Sequence, residues 1–439
     1  MSQTPPPVVI GAGWSGLACA IALVHQGHRP VILDAAPQGG GRARAFERSL
    51  GGATVRLDNG QHLLLGAYRD TLEAMQTVGV DTGAAFARVP FCVAYPDGWR
   101  LAAAPLPAPL HLAAGVLAAR GMTVAQRWSL VRWTRRHAGR NWQIAQDAPA
   151  SRLFLEEPAD LVRRLWRPLC LAALNVELDH ASARVFLTVL RDSLGGNAGN
   201  SHLLLARRDL SALFPDAAVA WLRSRGAQVR FGCTVQGLQL GGSSAPHMLA
   251  LRDGVLPATQ VVLALPADRA AALLTGVHPG LADAARMLAQ LRFAPIATCY
   301  LRYAPGTRLA RPMLALLDDP ALGEHGQWVF DRGAMDPALD GVVSVVISGD
   351  GPHRALDREA LGSSVARQLT RALGLPQPAA HYSVIDKHAT LAPHPGIARP
   401  ATRLPVAGLF LAGDAADSPY PSTIEGSVRA GLAAARAIA

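Results

Sequence analysis

Val8-Val-Ile-Gly11-Ala-Gly13-Trp14-Ser15-Gly16-Leu-Ala-Cys-Ala20, followed after a helical stretch by Val31-Ile-Leu-Asp34-Ala35, decides the fold. An apolar run, a Gly-x-Gly-x-x-Gly turn, a helix, a second apolar run and a terminal acid stand in the order that a dinucleotide-binding βαβ unit requires. Each glycine has a separate task. Gly11 makes the tight turn, Gly13 lets the backbone approach a pyrophosphate, and Gly16 lets helix and strand pack closely. Trp14 and Ser15 open the helix, whose N-terminus favours a phosphate, and the helix is expected to stop at Gly27, ahead of Pro30. Asp34 falls about 20 residues after the glycines, where a carboxylate accepts from ribose hydroxyls and repels a 2′-phosphate.

Past Asp34 and Ala35, Gly39-Gly40-Gly41-Arg42-Ala43-Arg44 supplies adaptable backbone and a guanidinium suited to the second face of a pyrophosphate. A nicotinamide domain needs no such clamp. The far end of the chain carries a second cassette: the apolar run Gly408-Leu-Phe-Leu-Ala ends in Gly413-Asp414, and Pro421-Ser-Thr423-Ile424-Glu-Gly426 opens a final helix. Ser422 and Glu425 have the spacing of a capping box.

Together these stretches resemble the FAD-binding amine oxidase and phytoene desaturase superfamily. The resemblance implies FAD as cofactor. It implies that Asp34 and Ala35 serve the adenosine ribose, Gly41 and Arg42 the pyrophosphate, and Gly413 and Asp414 the ribityl chain. Thr423 and Ile424 would present a helix N-terminus to the flavin pyrimidine edge, where a positive dipole end stabilises negative charge. Asp58-Asn-Gly60-Gln61-His62 would lead beside the flavin. Val229-Arg-Phe-Gly-Cys-Thr-Val235 reads as a strand; the resemblance implies that Val235 passes the adenine and that an apolar strand ending at Pro266 returns the chain to the cofactor domain.

Within that superfamily, Asp58-Asn-Gly-Gln-His-Leu-Leu-Leu-Gly66, Leu165-Trp-Arg-Pro-Leu-Cys-Leu-Ala-Ala-Leu-Asn175, Asp386-Lys-His-Ala-Thr390 and Thr423-Ile-Glu-Gly426 are similar to the hydroxysqualene dehydroxylase family. That implies reduction of an allylic C30 alcohol by hydride from reduced FAD, a long apolar isoprenoid substrate, and an external electron donor. The chain departs from the family at Ala415-Ala416, where tryptophan usually follows Gly-Asp. His62, whose ordinary pKa is near neutrality, is the candidate proton donor. Lys387, the only lysine, is expected to anchor structure rather than sit beside the flavin as in related amine oxidases. A carotenoid-type desaturase, an amine oxidase and a flavin-binding scaffold without turnover remain as alternatives.

The 439 residues exceed one usual core, and half of them are hydrophobic with 17% charged, so an α/β protein of two domains is expected. An FAD-binding Rossmann-like domain would be assembled from discontinuous segments, 1–90, 207–272 and 380–439. An interleaved α+β substrate domain would take 91–206 and 273–379. Five scattered cysteines form neither a metal spacing nor a disulfide framework, and no export signal precedes the first strand, so a cytoplasmic protein is expected. The net charge of +10 is spread over dispersed arginines without an aromatic-rich module, which argues against nucleic acid. No run of 18 apolar residues is present. Arg127, Arg132, Arg135, Arg136 and Arg140 interleaved with Trp128, Trp133 and Trp142 have the composition of an interfacial helix, and suggest peripheral contact with the inner face of the cell membrane.

Overall fold

The computed structural model describes residues 4–242 and 245–438. At its centre lies a parallel sheet of five three-residue strands in the spatial order Gln228–Arg230, Val31–Leu33, Val8–Ile10, Val261–Leu263 and Leu409–Leu411. In chain order this is 3-2-1-4-5, the arrangement of a doubly wound dinucleotide fold. All but the edge strand Gln228–Arg230 are apolar throughout and buried, as strands covered on both faces must be.

One face is covered by helices Trp14–His25 and Ile424–Ile438. Their contact is close because Gly431 has no side chain: a Cβ there would lie 2.1 Å from the Ser15 carbonyl oxygen. The other face carries helices Ala267–Leu274 and Ala282–Gln290 and a three-stranded antiparallel sheet formed by Gly237–Gln239, His247–Leu251 and Gly254–Ala258.

A second, antiparallel five-stranded sheet runs in the order Met313–Ala315, Trp328–Asp331, Val342–Ser348, Phe293–Arg302 and Ala380–Leu391. Helix Arg358–Leu373 backs it. Residues 91–206 form a mainly helical layer with a short ribbon, Cys92–Ala94 paired with Arg100–Ala102, and end in strand Leu203–Ala206, which pairs with Leu64–Leu65 and Phe86–Val89.

Three expectations are corrected. A boundary at 380 would cut the second sheet, because Ala380–Leu391 pairs along its length with Phe293–Arg302. A boundary at 273 would sever the helices of 267–290, which pack as one unit under the central sheet. The strand expected over 229–235 ends at Arg230: Gly232 takes φ +64°, which breaks the extension and leaves Val235 in the following loop. The tryptophans also divide. Trp133 is 2% exposed and stacks on Phe154, Trp142 is partly buried beside it, and only Trp128 stands in solvent.

Candidate functional site

The glycine turn is shaped by steric need. Gly11 has φ +111°, and a Cβ there would lie 2.2 Å from the Ala264 carbonyl oxygen. A Cβ on Gly16 would lie 1.8 Å from the Gly11 oxygen. Gly13 differs, with φ −74° and nothing nearer than Gly41 Cα at 3.8 Å, so its side of the turn is open. Gly40 N–H donates to the Ala12 carbonyl at 2.9 Å, which brings the second glycine loop against the first.

Asp34 ends the second strand. Its carboxylate accepts from Ala12 N–H at 2.7 Å and Ala36 N–H at 2.8 Å, holding the turn while keeping lone pairs for hydroxyl donors. Ala35 is exposed beside it. Cys233 N–H donates to the Asp34 carbonyl, which carries the Val235 loop to the same edge. Trp14 is structural: its indole N–H donates to the Ala43 carbonyl at 3.0 Å and its ring packs on Phe214. Pro266 caps helix Ala267–Leu274 on the other side of the turn.

Ser15 carries a buried, unsatisfied hydroxyl: its Oγ lies in the first turn of the helix and has no hydrogen-bond partner within the protein. Gly413, at φ +87°, faces it: a Cβ there would sit 3.9 Å from that oxygen. A buried hydroxyl without a partner is costly unless a ligand satisfies it. At a helix N-terminus beside two open glycines, the ligand that fits is a pyrophosphate.

Arg42 joins both chain ends. Its guanidinium donates to the Asp414 carboxylate at 2.6 Å and to the Ala389 carbonyl at 3.1 Å. The expected phosphate clamp is thus partly committed to protein groups, and Arg42 fixes Asp414, whose side chain is 2% exposed.

The segment 58–62 rests on a buried polar network. The Asp58 carboxylate accepts from Leu210 N–H at 2.8 Å and faces Arg332 at 3.6 Å. Burial outweighs that arginine and pushes the Asp58 carboxyl up to about 6. Arg332 donates to Gln61 Oε1 at 2.6 Å, as does the Ser344 hydroxyl at 3.1 Å, and Gln61 Nε2 donates to the His62 carbonyl. The Gln61 amide is a strut, and Gly60 is buried beside it. His62 Nδ1 lies 2.8 Å from the Gly60 carbonyl, which can only accept. The ring therefore carries its proton on Nδ1 and leaves Nε2 as an acceptor. Burial lowers its pKa below the ordinary value, a correction to the near-neutral proton donor expected from the sequence.

Thr423, not Ser422, caps the last helix: its Oγ1 accepts from Gly426 N–H at 3.1 Å, while Ser422 Oγ accepts from Leu391 N–H. The expected capping box does not form. Glu425 is fully buried, where it accepts from Thr71 N–H at 2.9 Å, Thr71 Oγ1 at 2.6 Å and Arg429 at 2.8 Å.

Arg42, Gly60, Gln61, His62, Thr423 and Ile424 line a single cavity of about 250 Å3. Its other wall is apolar and comes from the helical layer and the second sheet, including Leu169, Phe186, Leu190, Phe330 and Val346. Asp386 and Asn175 are among the cavity residues not singled out as site residues from sequence. Asp386 reaches the polar end from strand Ala380–Leu391. Asn175, held at φ +57°, donates to Pro295 O and Thr390 Oγ1, and its amide oxygen accepts from Gly349 N–H. The quoted stretches that end at Asn175 and begin at Asp386 were the available signal. Lys387 is exposed and lies outside the cavity lining.

A model of flavin containing amine oxidoreductases matches residues 14–439. The chain belongs to that family. It is an FAD-dependent oxidoreductase, and the orphaned Ser15 hydroxyl and the glycine cradle fit the dinucleotide. The chain is 30% identical to a hydroxysqualene dehydroxylase of Rhodopseudomonas palustris over 97% of its length and 96% of that protein's. It is 30% identical to a hydroxysqualene dehydroxylase of Sinorhizobium fredii with the same coverage. Among solved structures, a putative protoporphyrinogen oxidase from Exiguobacterium superimposes with a TM-score of 0.72 at 16% identity, covering 99% of both chains. That last likeness concerns the fold. No helix among the described residues is long and apolar enough to cross a membrane.

Proposed function

We propose that this flavoprotein reduces the allylic alcohol hydroxysqualene to squalene, within squalene and hopanoid biosynthesis. The observation that carries the reading is the two-ended cavity, in which a polar end at Arg42, His62, Asp386 and Thr423 continues into an apolar chamber. The similarity to hydroxysqualene dehydroxylases supports it.

In this reading the cradle at Gly11, Gly13, Ser15 and Gly41 holds the pyrophosphate, Asp34 the ribose, Asp414 the ribityl chain, and the Thr423 helix end the pyrimidine edge. Bound FAD, reduced by an external electron donor, supplies a hydride. The chain's own residues hold the substrate and govern water and protons. The chamber packs an isoprenoid tail by apolar contact and excludes water from the reacting carbon. The hydroxyl leaves as water after protonation at its oxygen, and the allylic system spreads the positive charge that results. His62, poised at the polar end, is the proposed proton source. Its neutral resting form means that it must first be charged by a proton from solvent.

The test is anaerobic. Protein with dithionite-reduced flavin is mixed with hydroxysqualene in detergent while flavin absorbance and extracted lipids are followed. Flavin reoxidation with stoichiometric squalene supports the reading. No reoxidation, with bleaching of the oxidised enzyme by a polyene or an amine, moves the protein to a desaturase or an oxidase. A flavin that responds to none of these points to a scaffold.

A further inference from the structure

Five of the eight large apolar side chains exposed among the described residues fall within one short stretch: Leu106, Leu110, Leu117, Val124 and Trp128. Scattered exposure is ordinary, whereas clustering marks an interaction surface. Leu110 and Leu117 stand seven apart on helix Leu110–Leu117, and Val124 and Trp128 four apart on helix Val124–Gly139, so each pair shares a helix face. Leu117 is 74% exposed and Trp128 68%. Arg127 joins the helices by donating to the carbonyls of Leu117 at 2.9 Å and Ala119 at 2.7 Å, which makes one hairpin of the two.

The charge carried by this stretch itself has one sign, and the carboxylates packed against it, Glu156, Glu157 and Asp160, come from the next segment. From Gly98 to Gln146 the sequence holds seven arginines and no aspartate or glutamate, against a net charge of +10 for the whole chain. Arg120, Arg132, Arg135 and Arg140 are exposed, and Arg136 pairs with Glu156. The hairpin also lies close to the cavity. Helix Leu110–Leu117 sits flat on strand Arg100–Ala102, where a Cβ on Gly115 would come 2.3 Å from the Ala102 carbonyl oxygen. The partner strand, Cys92–Ala94, contributes Cys92 and Val93 to the cavity wall. A single two-stranded ribbon separates the exposed face from the chamber.

We propose that this hairpin docks the enzyme on an anionic lipid bilayer. Leu106, Leu110, Leu117, Val124 and Trp128 enter the boundary between headgroups and acyl chains, and the flanking guanidiniums meet lipid phosphates. The inference deepens the proposed function by naming the phase from which an apolar substrate is drawn. Its own grounds are exposure and charge, and its test uses no substrate, so either reading can fail without the other.

The FAD-loaded full-length chain is floated with vesicles of phosphatidylcholine, alone or mixed with phosphatidylglycerol. The mixed vesicles are expected to carry the protein upward, less so in high salt. A Leu117→Ser, Trp128→Ser double variant that keeps its flavin spectrum and wild-type melting is expected to lose binding at least roughly tenfold. Arg135→Glu with Arg140→Glu tests the charge independently and is expected to weaken binding to the mixed vesicles alone. Wild-type protein that stays down with both vesicles, or variants that float as well as wild type, would overturn the proposal. So would a dimer that these substitutions dissociate with no lipid binding, which would assign the face to a second copy of the chain.

Discussion

The Arg42 guanidinium lies 2.6 Å from the Asp414 carboxylate across 372 residues of sequence. The pair ties the second glycine loop to the turn before the last helix, and in the proposed reading this closes the cofactor site. Loss of the arginine leaves a nearly buried carboxylate without its cation, a cost of about 2 kcal/mol after discounting the partial exposure of Arg42. Arg42→Ala is expected to weaken FAD binding on the order of 30-fold, measured by titrating the apoprotein with flavin. Arg42→Lys should recover only part, because an ammonium lacks the planar fork.

Gly13 and Gly16 separate cofactor binding from folding. Gly13 has a φ any residue adopts and open space beside it, so Gly13→Ala should leave apoprotein stability within about 1 kcal/mol while its methyl blocks the pyrophosphate. Gly16→Ala drives a methyl into the Gly11 carbonyl and should cost at least about 3 kcal/mol. Denaturant unfolding of the apoprotein beside flavin titration checks both. Equal loss of stability in the two variants would contradict the assignment.

His62 sets a sign for the pH dependence. Burial lowers its pKa, so the cationic acid is scarce at neutral pH and grows as pH falls toward and through the lowered value. If it supplies the proton, single-turnover flavin reoxidation by the alcohol accelerates on acidification below the ordinary histidine pKa. In His62→Gln that acceleration disappears while flavin stays bound. A profile identical in both proteins would remove His62 from proton transfer.

Glu425 is a buried carboxylate with every partner supplied by the fold. Glu425→Gln keeps the shape but loses the charge that Arg429 and the short Thr71 bond require. A loss of roughly 2 to 3 kcal/mol is expected, read by chemical denaturation of the holoenzyme.

What could be read from the sequence was what local sterics control. Gly11 and Gly16 have no room for a methyl, and that need shows in the spacing itself. The Ser422 to Glu425 pattern misled because Thr423, one residue on, is an equally good cap, and because Thr71 draws Glu425 away, 354 residues earlier in the chain. The boundary at 380 failed for a similar reason: pairing with Phe293–Arg302 is a nonlocal fact. Arginine and tryptophan composition pointed to the segment from Arg127 to Trp142. It could not tell that Trp133 faces inward and Trp128 outward, since that depends on which side of the helix meets Phe154.

The central sheet takes its edge strand, Leu409–Leu411, from the far end of the chain. On a ribosome the βαβ unit emerges before it, and in the proposed placement of the cofactor the nucleotide cradle stays unfinished until Asp414 and Thr423 have been synthesised. Chains cut short before that point would carry the full fingerprint and retain no flavin. Flavin absorbance in the purified protein is therefore expected to report that translation has passed Asp414 and Thr423.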